Sequence, residues 1–247
     1  MVIRYSRKER RGRLDLRIGS VLNLIQITSV THVGAHLAEE SWEYEHFGLP
    51  VTWVEPIPDL VAQIKSTGLP QGQNIVELLL GQAPGLSQTL TLFGPEFSLS
   101  SVLELRNSVI DANRLIMTTS ILNDLTPTDL LVLDVQGSEL NVLIGGGNFL
   151  DSCKYVFVEV SLRDIYYKST PTFEQIEKFL AIKGFVLKLK LMHGHNGLEG
   201  NCLFVNQAVL TRRQAAVFRT YQTFRSFLLT YRNRRHKIKT LLKSSKS

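Results

Sequence analysis

The chain has 247 residues, 44% hydrophobic and 20% charged, which suits one large globular domain or at most two small ones and excludes wholesale disorder. Its two cysteines, Cys153 and Cys202, lie far apart and make neither a disulfide framework nor metal-ligand spacing, so buried thiols in a reducing, cytoplasmic setting are expected. The net charge of +6 is uneven: residues 211–247 hold eleven Lys/Arg and no Asp or Glu, residues 1–17 hold seven basic and two acidic residues, and the middle is therefore net acidic.

In chain order, residues 1–28 form a basic extension followed by a helix. The run "IGSVLNLIQITSV" within and after it is too often interrupted by polar residues for a secretory signal, and no apolar run of eighteen residues predicts a transmembrane helix. "SVTHVG" reads as a strand ending in glycine, and "LAEESWEYEHFG" as a helix stopped at Gly48. "VTWVEP" is a second strand and "PDLVAQIKSTG" a helix opened by Pro58. "NIVELLL" is a third strand, followed by a less regular section over residues 82–121.

"DLLVLDV" is apolar almost throughout, as a strand covered on both faces must be. "SELNVLIGG" is a helix, "YVFVEV" a strand, and "TPTFEQIEKFLAIKG" a helix capped by Thr172. "FVLKLKL" and "NCLFVN", with only "MHGHNGLEG" between them, form an antiparallel pair. Strands alternating with helices predict an α/β fold with a mostly parallel, doubly wound sheet and an antiparallel edge strand over residues 29–207.

Residues 208–247 read as a basic amphipathic helix and tail. Val217, Tyr221, Phe224, Leu228 and Tyr231 step by four and three and make an apolar stripe among arginines. The stripe is expected to pack on the domain or on a second copy of the chain. The alternatives are an interfacial helix on anionic membrane, or RNA contact through arginine and aromatic side chains.

Ligands of doubly wound sheets sit outside the carboxyl ends of the strands. That rule selects His32 to His36, Glu55 to Pro58, Asp134 to Glu139, and Glu159 to Arg163. Acidic residues close three of these four ends; as isolated features they would equally serve as helix N-terminal charges. A dinucleotide turn needs G-x-G-x-x-G, but after Gly34 the later positions are His36 and Glu39, so a pyrophosphate is not expected. Glu55, 21 residues after Gly34 at the end of a strand, suits two ribose hydroxyls. A ligand with a ribose and no pyrophosphate is S-adenosylmethionine (SAM), whose cationic centres also suit an acidic cleft.

These residues resemble the FkbM-type methyltransferases. The resemblance is carried by "HVGAHLAEE", "VTWVEPIPDLVAQI", "TDLLVLDVQGSELNVLIGG" and "VFVEV", and runs from about residue 30 to about residue 206. It implies a class I, Rossmann-like methyltransferase fold that uses SAM, with O-methylation of a sugar, glycoconjugate or small-metabolite hydroxyl. Gly34 and Ala35 match the family's cofactor turn, Glu55 and Pro56 its E-P-x-P string, and Asp134, Gly137 and Glu139 its D-V-E-G-x-E string. Ser101, in "SLSS", matches loosely a serine segment after the third strand.

Three positions depart from the family pattern: His32 stands where Asp is usual, His36 where Asn is usual, and Gln136 replaces an acid, which removes any base role there. Glu39 or Glu40 would supply the charge His32 lacks. The cofactor-binding set is thus His32, Gly34, Ala35, His36, Glu40, Glu55, Pro56, Ser101, Asp134 and Gln136, with no metal site. An alcohol acceptor also needs a base as the methyl transfers. Asp134, Glu139, Glu159 and His193 are the candidates, together with His195, although glycine-flanked histidines also occur as ordinary turn residues.

The acceptor is a hydroxyl-bearing small molecule or glycan, recognised by segments 82–121 and 161–172. A degenerate methyltransferase core serving as a binding or targeting module, or an RNA methyltransferase using the basic helix, are the other function classes. The location follows as cytoplasmic, with the membrane surface as the variant implied by the C-terminal stripe.

Overall fold

The computed structural model describes residues 18–93, 100–103, 113–162, 169–193 and 199–224. Its first half contains α1 (Ile18–Leu22), β1 (Val30–Val33), α2 (Ser41–His46), β2 (Val51–Glu55), α3 (Pro58–Thr67), β3 (Gln73–Glu77), β4 (Leu79–Leu80) and β5 (Ser87–Leu92). Then follow β6 (Asn113–Ser120), β7 (Leu130–Leu133), α4 (Glu139–Ile144), α5 (Gly147–Ser152), β8 (Tyr155–Ser161), α6 (Phe173–Ile182), β9 (Phe185–His193) and β10 (Glu199–Asn206). Residues 212–224 form a final helix.

The strands buried on both faces occupy the centre. Every residue of β1 and β7 is buried, and the two pair in parallel, Val30 opposite Leu130 and Val33 opposite Leu133. The main sheet has seven strands in the order β3-β2-β1-β7-β8-β10-β9. All run parallel except β10, which is antiparallel to both β8 and β9. The expected antiparallel pair is therefore present, with β10 inserted one place inside the edge strand β9. Chain order reverses between β1 and β7, so helices lie on opposite faces either side of that line.

One face carries a core of Val21, Tyr44, Trp53, Val132 and Phe157 under α1 and α2; the other carries Leu131, Leu143, Phe149, Ile176 and Phe204 under α4, α5 and α6. α6 starts as its sequence dictates: the Gln175 side chain reaches back to accept the Thr172 N–H at 2.8 Å, and Phe173, Ile176 and Leu180 are buried.

Two parts of the chain differ from the sequence reading. "NIVELLL" is not one strand. It breaks at Leu78, whose N–H bonds the carbonyl of Glu55, and β4 then joins a second sheet of order β4-β6-β5. That sheet occupies much of the segment read as irregular, and its apolar side packs Leu90, Leu92, Leu115 and Met117 against Ile57 and Leu60.

The final helix packs on the domain through only part of the predicted stripe: Tyr221 rests on the first core, but the residue that fills it is Phe218, outside the stripe. Phe218 is 1% exposed in the first core, whereas Val217 and Phe224 are 40% and 58% exposed. Gln214 bonds the Tyr155 hydroxyl and Gln222 the Lys190 carbonyl on β9. Phe218→Ala is expected to cost about 3–5 kcal/mol, lowering the melting temperature by roughly 10 °C in a thermal scan. Val217→Ala should change it by about 1 °C or less.

Candidate functional site

At the carboxyl ends of β1, β2 and β7 lies a cavity of about 230 Å³. Its wall includes His32, Gly34, Ala35, His36, Glu40, Glu55, Pro56, Ser101, Asp134 and Gln136, all ten of the sequence-predicted cofactor positions. It is built by two sharp turns held by buried glutamates.

The first turn follows β1. Gly34 has φ +87° and, with Ala35, donates its N–H to the Val54 carbonyl. His36 and Ala38 also have positive φ, 46° and 53°, which non-glycine residues adopt only when their surroundings hold them. The restraint on His36 is Glu55: one carboxylate oxygen accepts the His36 N–H at 2.9 Å and the other the Ile57 N–H at 3.0 Å. Burial lifts the Glu55 pKa to about 6 in spite of these two bonds.

The second turn follows β7 and repeats the device. A single oxygen of Glu139 accepts the N–H groups of Val135 and Gly137, both at 3.1 Å, and Gln136 has φ +53°. Glu139 is 4% exposed and burial takes its pKa to about 7. Among the cavity's lining residues it does not appear; its carboxylate braces the turn from behind. Gln136 donates to Asp134 at 2.9 Å, and its carbonyl accepts the Ser101 hydroxyl at 2.8 Å. Ser101 is thereby the strut that ties the segment after β5 to the β7 turn.

The wall has an apolar part and an acidic part. Ile57, Leu60, Leu90 and Val102 pack together as one group. His36, Glu39, Glu40 and Asp134 form the other. Glu55 joins them, bonded to Ile57 on one hand and His36 on the other.

Charge is crowded in the acidic part. Burial works upward on Glu39, but its 3.0 Å bond to His36, that ring's charge and two backbone bonds outweigh it and leave the pKa below the usual carboxylate value. Burial, followed by the charge of Glu39, pushes half-buried Glu40 up to about 7. The Asp134 carboxylate opens onto the cavity, reachable by solvent yet surrounded by protein. Burial raises it, while hydrogen bonds from Glu159 and Gln136 oppose the rise. Glu159 is held well above the usual range by the charge of Asp134, then by burial and by Glu139 and Glu199. The two carboxyls therefore hold one proton between them.

His32 behaves as a core residue with one edge on the cavity. It stacks on Trp53 at 4.5 Å, its Nδ1 lies 3.0 Å from the Tyr44 hydroxyl, and burial takes its pKa to about 3, so the ring is neutral. His193 ends β9, but its side chain, like the whole of His195, lies outside the described residues. Among the described residues no group of three or more His, Cys, Asp or Glu side chains is arranged for a metal ion. No helix of those residues is long and apolar enough to cross a membrane. Sequence reasoning missed Ser138. The residue lines the cavity and is 6% exposed, and its hydroxyl is buried with no hydrogen-bond partner. A serine before a helix ordinarily signals an N-cap, yet this one caps nothing.

The raised carboxyls make stability fall with rising pH. Folded Glu40, Glu55 and Glu139 keep protons that the unfolded chain has lost above about 4.5, so their contribution is complete below that pH and disappears as pH rises through 6 to 7. His32 acts oppositely between about 3 and 6.5, because only the unfolded chain protonates it there. Above pH 6.5 the carboxyls act alone. Thermal denaturation is expected to show a loss of about 1–2 kcal/mol between pH 6.5 and 8, roughly 5 °C. A melting temperature flat over that interval would contradict the protonated cluster.

A model of the methyltransferase FkbM domain matches residues 32–187. Among curated proteins no sequence matches. Solved structures with a related course of the chain include a methyltransferase FkbM from Methylobacillus flagellatus KT, 13% identical with a TM-score of 0.48, the alignment covering 74% of this chain and 45% of that one. The magnesium protoporphyrin IX methyltransferase of Synechocystis PCC 6803, solved with bound SAM, is 13% identical with a TM-score of 0.47 over 76% and 74% of the two chains. A putative RNA methyltransferase from Pyrococcus horikoshii is 10% identical, with a TM-score of 0.44 over 76% and 77%.

Proposed function

Because the chain belongs to the methyltransferase FkbM domain family, we propose that it transfers a methyl group from SAM to a hydroxyl of a sugar, glycoconjugate or small metabolite. Its mostly parallel seven-stranded sheet is the class I, Rossmann-like methyltransferase fold. The observation that carries the reading is Glu55. It stands buried at the tip of β2, between an apolar and an acidic section of one cavity wall.

The residues fit the cofactor. Ile57, Leu60, Leu90 and Val102 offer an apolar surface for a purine, and the Glu55 oxygens, each using one lone pair on a backbone N–H, retain lone pairs for ribose hydroxyls. Glu39, Glu40 and Asp134 offer negative charge to the ammonium and sulfonium groups. The unpartnered Ser138 hydroxyl is a buried polar atom of the kind a ligand satisfies. When bound, SAM supplies an electrophilic methyl on a good leaving group.

What remains for the chain is to align the acceptor and take its proton. Asp134 is the candidate base: it opens onto the cavity, and Gln136 orients one of its oxygens. Glu159 positions Asp134 from behind through their shared proton. Glu139 holds the turn on which Asp134 and Gln136 are mounted, a positioning role rather than the catalytic one expected for it. The crowded carboxylates favour neutral or cationic acceptors and disfavour a polyanion such as RNA.

Calorimetry with SAM tests the first step, and mass spectrometry of a cell extract incubated with the protein and labelled SAM tests the second. Binding in the micromolar range with label on a hydroxyl oxygen is the expected result. No binding up to millimolar SAM would remove the enzyme reading.

A further inference from the structure

The final helix leaves an apolar face uncovered, and we propose that this face docks on an anionic lipid bilayer. Around residues 212–224, Gln214, Phe218, Tyr221 and Gln222 turn toward the domain, where Phe218 fills the core, Tyr221 packs against it and the two glutamines bond Tyr155 and Lys190. Val217 and Phe224, seven residues apart and so nearly in line on a helix, lie outside that contact and are 40% and 58% exposed. Arg213 lies four residues before Val217 on the same stripe, whereas Arg212 and Arg219 lie round the helix from it; all three are exposed.

Two exposed apolar side chains are ordinary by themselves. Charge decides what covers these. Residues 211–247 carry eleven Lys/Arg and no acidic residue. A second copy docked by the same face would bring two such segments together, and their repulsion opposes it. RNA would satisfy the arginines but leaves Val217 without an apolar partner. An anionic bilayer satisfies both chemistries: the apolar face enters the boundary between headgroups and acyl chains, and the arginines meet lipid phosphates and carboxylates. The net-acidic body is repelled by the same surface, which confines contact to the basic ends.

The test is co-sedimentation of the full chain with vesicles of phosphatidylcholine alone and of phosphatidylcholine with phosphatidylserine. Binding is expected only to the anionic vesicles, weakening as salt screens the arginines. Val217→Ser combined with Phe224→Ser is expected to reduce it about tenfold or more, with melting temperature and SAM affinity unchanged. Equal binding of the double variant would reduce the effect to bulk charge and overturn the proposal. So would indifference to lipid charge, or a dimer in sedimentation velocity that the double variant dissociates while vesicle binding persists. Selective loss of binding to a single-stranded RNA oligomer, with vesicle binding intact, would overturn it too.

Discussion

Glu55→Ala is expected to weaken SAM binding about a hundredfold, equivalent to about 2.7 kcal/mol, measured by calorimetry at pH 7.5. Two losses add. The first is the acceptor for ribose hydroxyls, each charge-assisted bond being worth roughly 1.5–3 kcal/mol. The second is the restraint on the β1 turn: without the carboxylate, the N–H groups of His36 and Ile57 are left buried and unpaired, and His36 has φ +46° to relax from.

Glu55→Gln separates the contributions poorly, for a physical reason. Its amide keeps one oxygen, but its NH2 must face either the His36 or the Ile57 N–H, donor against donor. Gln is therefore expected to act nearly as Ala does. The diagnostic is pH dependence. Wild-type affinity should rise as pH passes about 6 and Glu55 loses its proton, and that step should be missing in both variants. An affinity within about threefold of wild type in Glu55→Ala would exclude Glu55 from the binding site.

The features of this site that could be read in the sequence are those that depend on strand ends. An apolar run that stops at a polar residue places that residue at the rim of the sheet, and Gly34, Glu55 and Asp134 needed nothing more to be brought to one cavity. Roles are harder to read than places. Glu55 closes β2 and Glu139 opens α4 after the β7 turn, yet one faces the cavity and the other braces a turn from behind. The difference lies in which backbone N–H groups the turn presents to each carboxylate, and that depends on positive φ values at His36 and Gln136 which no composition rule announces.

Periodicity failed where two registers were available. On the final helix both Val217 and Phe218 start an apolar series through Tyr221, and only the tertiary surface chooses Phe218. The second sheet escaped notice through β6, which has one buried position in eight and an Ile116 that is 79% exposed, whereas β5 carries a short alternation at Thr89 to Leu92 with both leucines buried. A half-exposed strand with threonines at its surface carries little apolar alternation. The break at Leu78 was hidden for the opposite reason: Ile75 and Val76 before it and Leu79 and Leu80 after it read as one apolar run, although the two pairs belong to strands of different sheets.

Gly34→Ala is expected to damage both the fold and the site. A Cβ there would lie 1.8 Å from the Asp134 carbonyl oxygen and 2.8 Å from its carbon, both backbone atoms. Neither partner can retreat cheaply. The Gly34 N–H is bonded to the Val54 carbonyl at 2.9 Å and the Asp134 N–H to the Val33 carbonyl at 3.1 Å, so the tips of β1, β2 and β7 are locked together. The nearest atoms that demand a glycine at this position thus belong to the protein itself.

To the overlap is added the cost of φ +87° for a residue with a side chain, about 1 kcal/mol. The sum is expected to exceed about 3 kcal/mol, with loss of SAM binding as the turn shifts. Gly48→Ala isolates the conformational part. Gly48 has φ +63°, and a Cβ there would have nothing within 4 Å. Its cost should be only about 1 kcal/mol, with SAM affinity unchanged. Chemical denaturation of the two variants gives the comparison directly. If they lose equal stability, the overlap with Asp134 is relieved without cost, and the contact between the β1 and β7 tips is not what requires glycine at position 34.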